Sequence, residues 1–107
     1  MNAPSANEVE TPYVLRADAE GIATLTMNRG DRLNPLSTAM IGALQAELDA
    51  LAQDASVRVV VIAGGGKHFC AGHDLREMRS HAEKRWQAAL FEQCGRMMMS
   101  LVRLPQP

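Results

Sequence analysis

The sequence is short of cysteine, of long apolar runs and of any excess of one charge. Its two cysteines are too few for a disulfide scaffold and suit a reducing compartment, so we expect a cytoplasmic protein. The 11 Lys and Arg nearly balance the 12 Asp and Glu, whereas a general nucleic-acid binder needs a clear basic excess. No apolar run reaches the about 20 residues of a membrane span. We therefore expect neither nucleic acid nor a membrane as a partner.

The chain length of 107 residues allows one domain or less. Its first segment, residues 1–11, is rich in Asn, Pro, Ser and Glu, and it lacks the basic stretch and apolar core of a secretory signal. This composition predicts a disordered leader. Residues 12–107 then form the ordered part of the protein.

The first half of the ordered part predicts a hairpin followed by a helix. Strands are expected at Tyr13–Ala17 and Ile22–Asn28, and the polar segment Asp18–Gly21 suits the turn between them. Ser37–Gln53 has apolar residues at helical spacing, and Ser37 is a suitable N-cap. The expected buried face of this helix consists of Leu36, Met40, Ile41, Leu44, Leu48 and Leu51.

The second half predicts one more strand and one more helix. Val57–Ala63 is nearly all β-branched, which is typical of a strand buried on both faces, and the loop Lys67–Leu75 follows it. Ser80 and Glu83 form a candidate capping box for the helix, whose apolar stripe runs through Trp86, Leu90, Cys94, Met97, Met98 and Leu101. The order β-β-α-β-α predicts an α/β layered fold. Because the hairpin can cover only one edge of the buried strand, we expect further chain or partner subunits at the other edge.

Two loop segments carry the candidate chemistry: residues 28–36 (NRGDRLNPL) and residues 67–78 (KHFCAGHDLREM). The second follows the buried strand and a triple-Gly turn. Such a loop can leave backbone N–H groups pointing into a cleft, where they hold an oxygen that gains negative charge in a transition state. Gly72 would allow a ligand to approach the backbone closely.

Together these two segments resemble the opening half of the crotonase superfamily, which includes enoyl-CoA hydratases and isomerases. The resemblance rests on Asn28-Arg29, Leu33-Asn34 and Leu36, and on the FCAGHDL segment at residues 69–75. It implies ββα units stacked in a spiral, of which this chain would hold the first part only. It also implies an acyl-CoA substrate, assembly as a homo-oligomer (a trimer or a hexamer), and no cofactor other than coenzyme A as part of the substrate.

The resemblance further implies a site. The backbone N–H of His73 would be the first of two donors that bind the thioester oxygen and stabilise an enolate. Residues 73–76 would line the path of CoA, with Arg76 near its phosphates, and residues 33–35 would lie near its adenine. The expected substrate-contacting residues are Leu33, Asn34, Pro35, Ala71, Gly72, His73, Asp74, Leu75 and Arg76.

This sequence departs from the family pattern at two positions that bear on nucleotide contact. Asp31 stands where many relatives have Lys or Arg, for which Arg32 can compensate, and Pro35 stands where Ala is common. The two Glu residues that activate water in the family's hydratases, and the Gly of the second donor, would lie beyond Pro107. We therefore expect hydration of 2-enoyl-CoA from a complete protein, and no measurable crotonyl-CoA hydration from these 107 residues alone.

Other functions stay open at this point. The chain could bind acyl-CoA or partner subunits without turnover, or it could belong to an isomerase, decarboxylase, thioester hydrolase or dehalogenase of the same superfamily. Glu77 is expected at a solvated helix position, and Asp74 is expected to tie down loop N–H groups. His68, His73 and Asp74 do not follow a recognised metal-ligand spacing. The Met97–Met99 stretch suits either core packing or an acyl pocket.

Overall fold

The computed structural model describes residues 11–107, so the predicted leader lies outside the described residues except for Thr11. The predicted order of elements is confirmed, with one additional short helix. The elements are β1 (Val14–Ala19), β2 (Ile22–Met27), a 3-10 turn (Gly30–Arg32), α1 (Thr38–Ala52), β3 (Val59–Gly64), α2 (Leu75–Ser80) and α3 (Lys84–Val102).

The three strands form one sheet in the order β1-β2-β3. β1 and β2 pair antiparallel through a two-residue turn in which Glu20 and Gly21 have φ of 53° and 81°. Two consecutive positive φ angles are typical of the hairpin turn whose twist matches that of the strands. The four-residue turn predicted at 18–21 was therefore too long, because the strands extend to Ala19 and Ile22. β3 pairs parallel to β2, as a crossover through α1 requires.

The core lies between one face of the sheet and the helices. Alternate residues of β2 point towards it, and Ala23, Leu25 and Met27 are all at most 2% exposed. The Ser37 cap is confirmed, because its side chain accepts a hydrogen bond from Met40 N–H at 3.1 Å. The other buried apolar residues are Val14, Met40, Ile41, Leu44, Leu48, Leu51, Val57, Leu90, Cys94 and Met97.

The prediction that the third strand is buried on both faces is wrong for this chain. Val59 and Val61 are 37% and 41% exposed, because residues 11–107 place no layer over the outer face of the sheet. Leu15 and Ile22 lie on the same face and are exposed to a similar extent. β3 is also an edge strand, as expected from a hairpin that can cover only one of its edges. The β-branched run thus marks a strand with one covered face and one exposed face.

The predicted capping box at the start of the last helix is also wrong. The Ser80 hydroxyl donates to the Glu77 carbonyl at 2.9 Å, inside the short helix α2, and α3 begins after Glu83 without a side-chain cap. The reason lies upstream, because Asp74 starts a helix six residues before Ser80. Ser80 therefore ends one helix rather than starting the next.

The apolar stripe of α3 is only half covered. Leu90, Cys94 and Met97 are buried, whereas Met98 and Leu101 are 43% and 36% exposed. The helix ends at Val102, close to the Leu104–Pro105 stop expected from the sequence. None of the helices within residues 11–107 has both the length and the apolar character needed to cross a membrane.

Candidate functional site

The two loop segments singled out in the sequence lie side by side. The Leu33 carbonyl accepts a hydrogen bond from Ala71 N–H at 2.9 Å, and the Gly72 carbonyl accepts one from Leu36 N–H at 2.7 Å. Leu36 and His73 form an isolated parallel bridge. The backbone therefore joins residues that are more than 35 positions apart and brings most of the predicted site residues into one place.

The backbone N–H of His73 is the donor on which the predicted chemistry depends. In the parallel bridge, Leu36 directs its own N–H towards Gly72, so the N–H and carbonyl of His73 point to the opposite side. Within residues 11–107 this N–H donates to no acceptor. An unpaired N–H beside a cleft is available to a ligand, whereas a buried one is nearly always paired.

Gly72, immediately before this donor, has a φ of +95°. Residues that carry a side chain rarely adopt this backbone conformation, so the position favours glycine. A Cβ placed there would meet no atom within 4 Å. The glycine is therefore needed for its backbone angle, and the space beside it is open.

A cleft of about 560 Å³ lies against the two segments. Seven of the nine predicted substrate-contacting residues line it, all except Asn34 and Gly72; they are Leu33, Pro35, Ala71, His73, Asp74, Leu75 and Arg76. Arg32 and Arg76 also face this cleft, both are exposed, and neither forms an ion pair within the described part of the chain. Asp31 lies at the same cleft. With Asp74, the lining holds two guanidinium groups and two carboxylates, so its formal charges balance, while neither guanidinium is held in an ion pair.

Asn34 departs from its predicted place among the substrate-contacting residues. Its side chain is fully buried, at 0% exposure. Its Nδ2 donates to the carbonyls of Gly65, His68 and Phe69 at 3.0, 3.2 and 3.1 Å, and its Oδ1 accepts from Arg29 N–H at 2.8 Å. The side chain is therefore occupied within the protein.

The two carboxylates that follow the donor in the chain are also occupied. Asp74 caps α2 by accepting from Arg76 N–H and Glu77 N–H at 3.1 and 3.2 Å, which agrees with its predicted structural role. Glu77 is not the solvated residue that was predicted. It is half-buried, and its two oxygens accept from Thr38 N–H at 3.0 Å and from the Thr38 hydroxyl at 2.7 Å. The carboxylate is drawn to the first turn of α1, whose N–H groups lack partners within the helix.

Replacement of Asp74 by Ala is expected to destabilise the protein by about 1 kcal/mol, because two N–H groups of α2 lose their acceptor. Asp74→Asn is the matched control, since its amide oxygen still caps the helix, and it should lose less than half as much. Urea unfolding followed by circular dichroism measures both values. Equal losses in the two variants would contradict the capping role.

The side chain of His73 packs against an aromatic ring and has no catalytic partner among the described residues. Its ring meets the ring of Phe91 on α3 edge-on, with centroids 5.4 Å apart. Its Nδ1 is buried and has no hydrogen-bond partner within residues 11–107, so no carboxylate orients the ring as a base.

The two cysteines have different surroundings. The Cys70 sulfur accepts a hydrogen bond from Gly72 N–H at 3.4 Å, whereas burial raises the pKa of the Cys94 thiol. Cys94 is therefore a core residue, whereas Cys70 contacts the loop backbone.

Sequence reasoning missed the contacts that support the site. The pairing of Glu77 with Thr38, the burial of the Asn34 amide and the contact of Phe91 with His73 all join residues that are distant in the chain. Of these contacts, only that of Asn34 had a signal in the sequence, because Asn adopts the left-handed backbone conformation of a loop more readily than most residues. The φ of Asn34 is +50°, next to Leu33 at +67°.

Comparison with known proteins identifies the family to which this fold and this site belong. The family described as enoyl-CoA hydratase/isomerase matches residues 22–107. The chain belongs to this family. The mitochondrial enoyl-CoA hydratase domain-containing protein 3 of Xenopus laevis is 30% identical over 103 residues, which are 96% of this chain and 35% of that protein. The 2,3-dehydroadipyl-CoA hydratase of Escherichia coli K12 is 44% identical over 69 residues, which are 64% of this chain and 26% of that protein.

Solved structures of the enoyl-CoA hydratase/isomerase family show the same fold. An enoyl-CoA hydratase from Mycobacterium smegmatis superposes with a TM-score of 0.87 at 46% identity, over 90% of this chain and 38% of that one. The predicted α/β fold, with the first part of a crotonase-like core, is confirmed. The chain spans about a third of the length of the relatives that it matches.

Proposed function

We propose that this chain supplies the acyl-CoA-binding part of an enoyl-CoA hydratase/isomerase site, with the His73 N–H as a donor to the thioester oxygen. The observation that carries the proposal is the His73 N–H itself, which has no acceptor within residues 11–107 and belongs to a residue that lines the cleft. Family membership supports an acyl-CoA as the ligand.

The chemical role of such a donor follows from where charge develops. Attack of water on the β-carbon of a 2-enoyl-CoA moves electrons onto the thioester oxygen and creates an enolate. A backbone N–H is held by the main chain, so it stabilises that charge without reorganising as the reaction proceeds. In a complete protein, the proposed reaction is hydration of a 2-enoyl-CoA. Activation of the water also requires a base. Asp74 and Glu77, which follow the donor in the chain, both accept structural hydrogen bonds, so we propose that the base comes from the rest of a complete protein.

Arg32 and Arg76 are the proposed contacts for the phosphates of CoA. Both guanidinium groups line the same cleft as His73 and have no carboxylate partner among the described residues. Guanidinium groups bind phosphate oxygens through two parallel N–H donors. They would therefore hold the nucleotide half of the ligand while the His73 N–H engages the thioester.

A second candidate function is acyl-CoA binding or subunit assembly without turnover. One observation favours it: the carboxylates of Asp74 and Glu77, which follow the donor in the chain, accept hydrogen bonds at helix N-termini and cannot act as acid and base without breaking those contacts. Assembly as a trimer or hexamer, a cytoplasmic location and the lack of a cofactor other than CoA stay predictions.

The proposal is tested by comparing butanoyl-CoA with S-butyl-CoA, the thioether in which a methylene replaces the carbonyl. If His73 N–H binds the thioester oxygen, the chain should prefer butanoyl-CoA about fivefold, since a neutral hydrogen bond contributes about 1 kcal/mol. Isothermal titration calorimetry measures both affinities. Arg76→Ala is the control, because it should weaken both ligands equally and leave their ratio unchanged. Equal affinity of the unmodified chain for the two compounds would exclude the proposed contact.

A further inference from the structure

The Asn34 side chain has more hydrogen-bond partners than any other side chain of the site. Its two Nδ2 protons serve three carbonyls, those of Gly65, His68 and Phe69, so at least one proton is shared. Its Oδ1 accepts from Arg29 N–H, and its own N–H donates to the Arg29 carbonyl at 2.9 Å. With 0% exposure, this amide has no surface left for a ligand.

The positions of these three carbonyls show what the amide holds. Gly65 directly follows β3, while His68 and Phe69 precede Ala71 in the loop that leads to His73. Asn34 therefore binds the first half of the loop through its side chain. The second half is bound by main-chain pairs, from Ala71 N–H to Leu33 and from Leu36 N–H to Gly72.

Only a short stretch of the loop separates the residues that the Asn34 amide binds from the His73 N–H. Phe69, the last residue bound by the Asn34 amide, is only four positions before His73. Without that amide, three partly buried carbonyls would lose their shared donor. Partly buried carbonyls without partners are costly, so the loop would move until they meet water or another donor. Such a movement passes along the backbone to residue 73.

We propose that Asn34 is a positioning residue for the His73 N–H. Its side chain holds residues 65–69 against residues 29–34 and thereby directs the donor at the thioester oxygen. The proposal rests on the proposed function, because it concerns how the same donor is presented. It assigns Asn34 a role that depends on its amide and on no contact with CoA.

The first test uses the unmodified chain. If the Asn34 hydrogen bonds favour the conformation that binds the thioester, binding of the thioester must strengthen those bonds to the same degree. Exchange of the Asn34 side-chain protons with solvent, followed by NMR on ¹⁵N-labelled chain, should be slower with butanoyl-CoA than with S-butyl-CoA. The expected difference is up to about fivefold, the preference expected from one neutral hydrogen bond. Equal exchange rates with the two ligands overturn the proposal.

The second test compares Asn34→Ala with Asn28→Ala. Asn28 is the matched control, since its amide also donates to a backbone carbonyl, that of Pro12 at 3.0 Å, but to none of residues 65–72. Asn34→Ala should abolish the preference for butanoyl-CoA, so that the two ligands bind with about equal affinity. The affinity for S-butyl-CoA should change by less than about twofold, because only the thioester contact is misaligned. Asn28→Ala should retain the preference. A merely structural role of Asn34 would instead weaken both ligands equally.

The outcomes separate this inference from the proposed function. An unmodified chain with no preference for the thioester overturns both. A preference that survives in folded Asn34→Ala overturns the role of Asn34 alone. If Asn34→Ala does not fold, the proton exchange of the unmodified chain decides the question.

Discussion

His73→Pro is expected to lower crotonyl-CoA hydration by about a hundredfold or more in a full-length protein that carries residues 12–107, whereas His73→Ala is expected to have little effect. Proline removes the backbone N–H, and alanine retains it while removing the imidazole. One suitable protein is a chimaera in which this segment replaces the matching part of the Mycobacterium smegmatis hydratase, which is 46% identical to it.

The contrast between these variants follows from the hydrogen bonds of the loop. The His73 N–H has no acceptor within residues 11–107, so proline there removes no internal hydrogen bond. What it removes is the donor to the developing enolate. The hydrogen bond from this donor is stronger in the transition state than in the bound substrate. The loss should therefore fall mainly on kcat and less on KM.

Steady-state hydration kinetics of the two variants measure this difference. Circular dichroism and thermal unfolding serve as the control for folding, and the two variants should resemble each other in both, because each lacks the imidazole that packs against Phe91. Similar losses in His73→Pro and His73→Ala would assign the effect to the side chain. Full activity of His73→Pro would remove residue 73 from the oxyanion site.

Gly64→Ala is expected to destabilise the chain by about 3 kcal/mol, the upper part of the range for overpacking. Gly64 is the last residue of β3, and a Cβ there would lie 2.7 Å from the Cα of Phe69 and 2.8 Å from the carbonyl oxygen of His68. Both contacts are with backbone, which cannot rotate away. The methyl group would therefore push the loop that precedes His73 away from the strand.

Gly95→Ala is the matched control for this prediction. Gly95 lies within α3, and a Cβ there would meet no atom within 4 Å. Because alanine has the higher helix propensity, this change is expected to stabilise the chain by about 0.5–1 kcal/mol. Urea unfolding of the two variants should thus give shifts of opposite sign. A small effect of Gly64→Ala would show that the loop can move away from β3 at little cost.

Sequence alone determined the features that depend on near neighbours in the chain. The β-branched residues of Ile22–Asn28 and the helical spacing of apolar residues in Ser37–Gln53 were sufficient to predict β2 and α1. The Ser37 cap was predictable because its acceptor and donor lie three residues apart. The motif residues around His73 pointed to the family, which comparison then confirmed.

Tertiary structure decided the features that join distant residues. Glu77 was expected in solvent, and it lies instead against Thr38, because the crossing of the two loops brings α2 to the start of α1. Asn34 was expected at the ligand, and its amide is buried under the loop that it supports. Periodicity and capping act within a few residues, so they carry no information on which groups will meet across more than 30 positions. That pairing is set by how the elements pack, and it is what leaves the His73 N–H without an acceptor within residues 11–107.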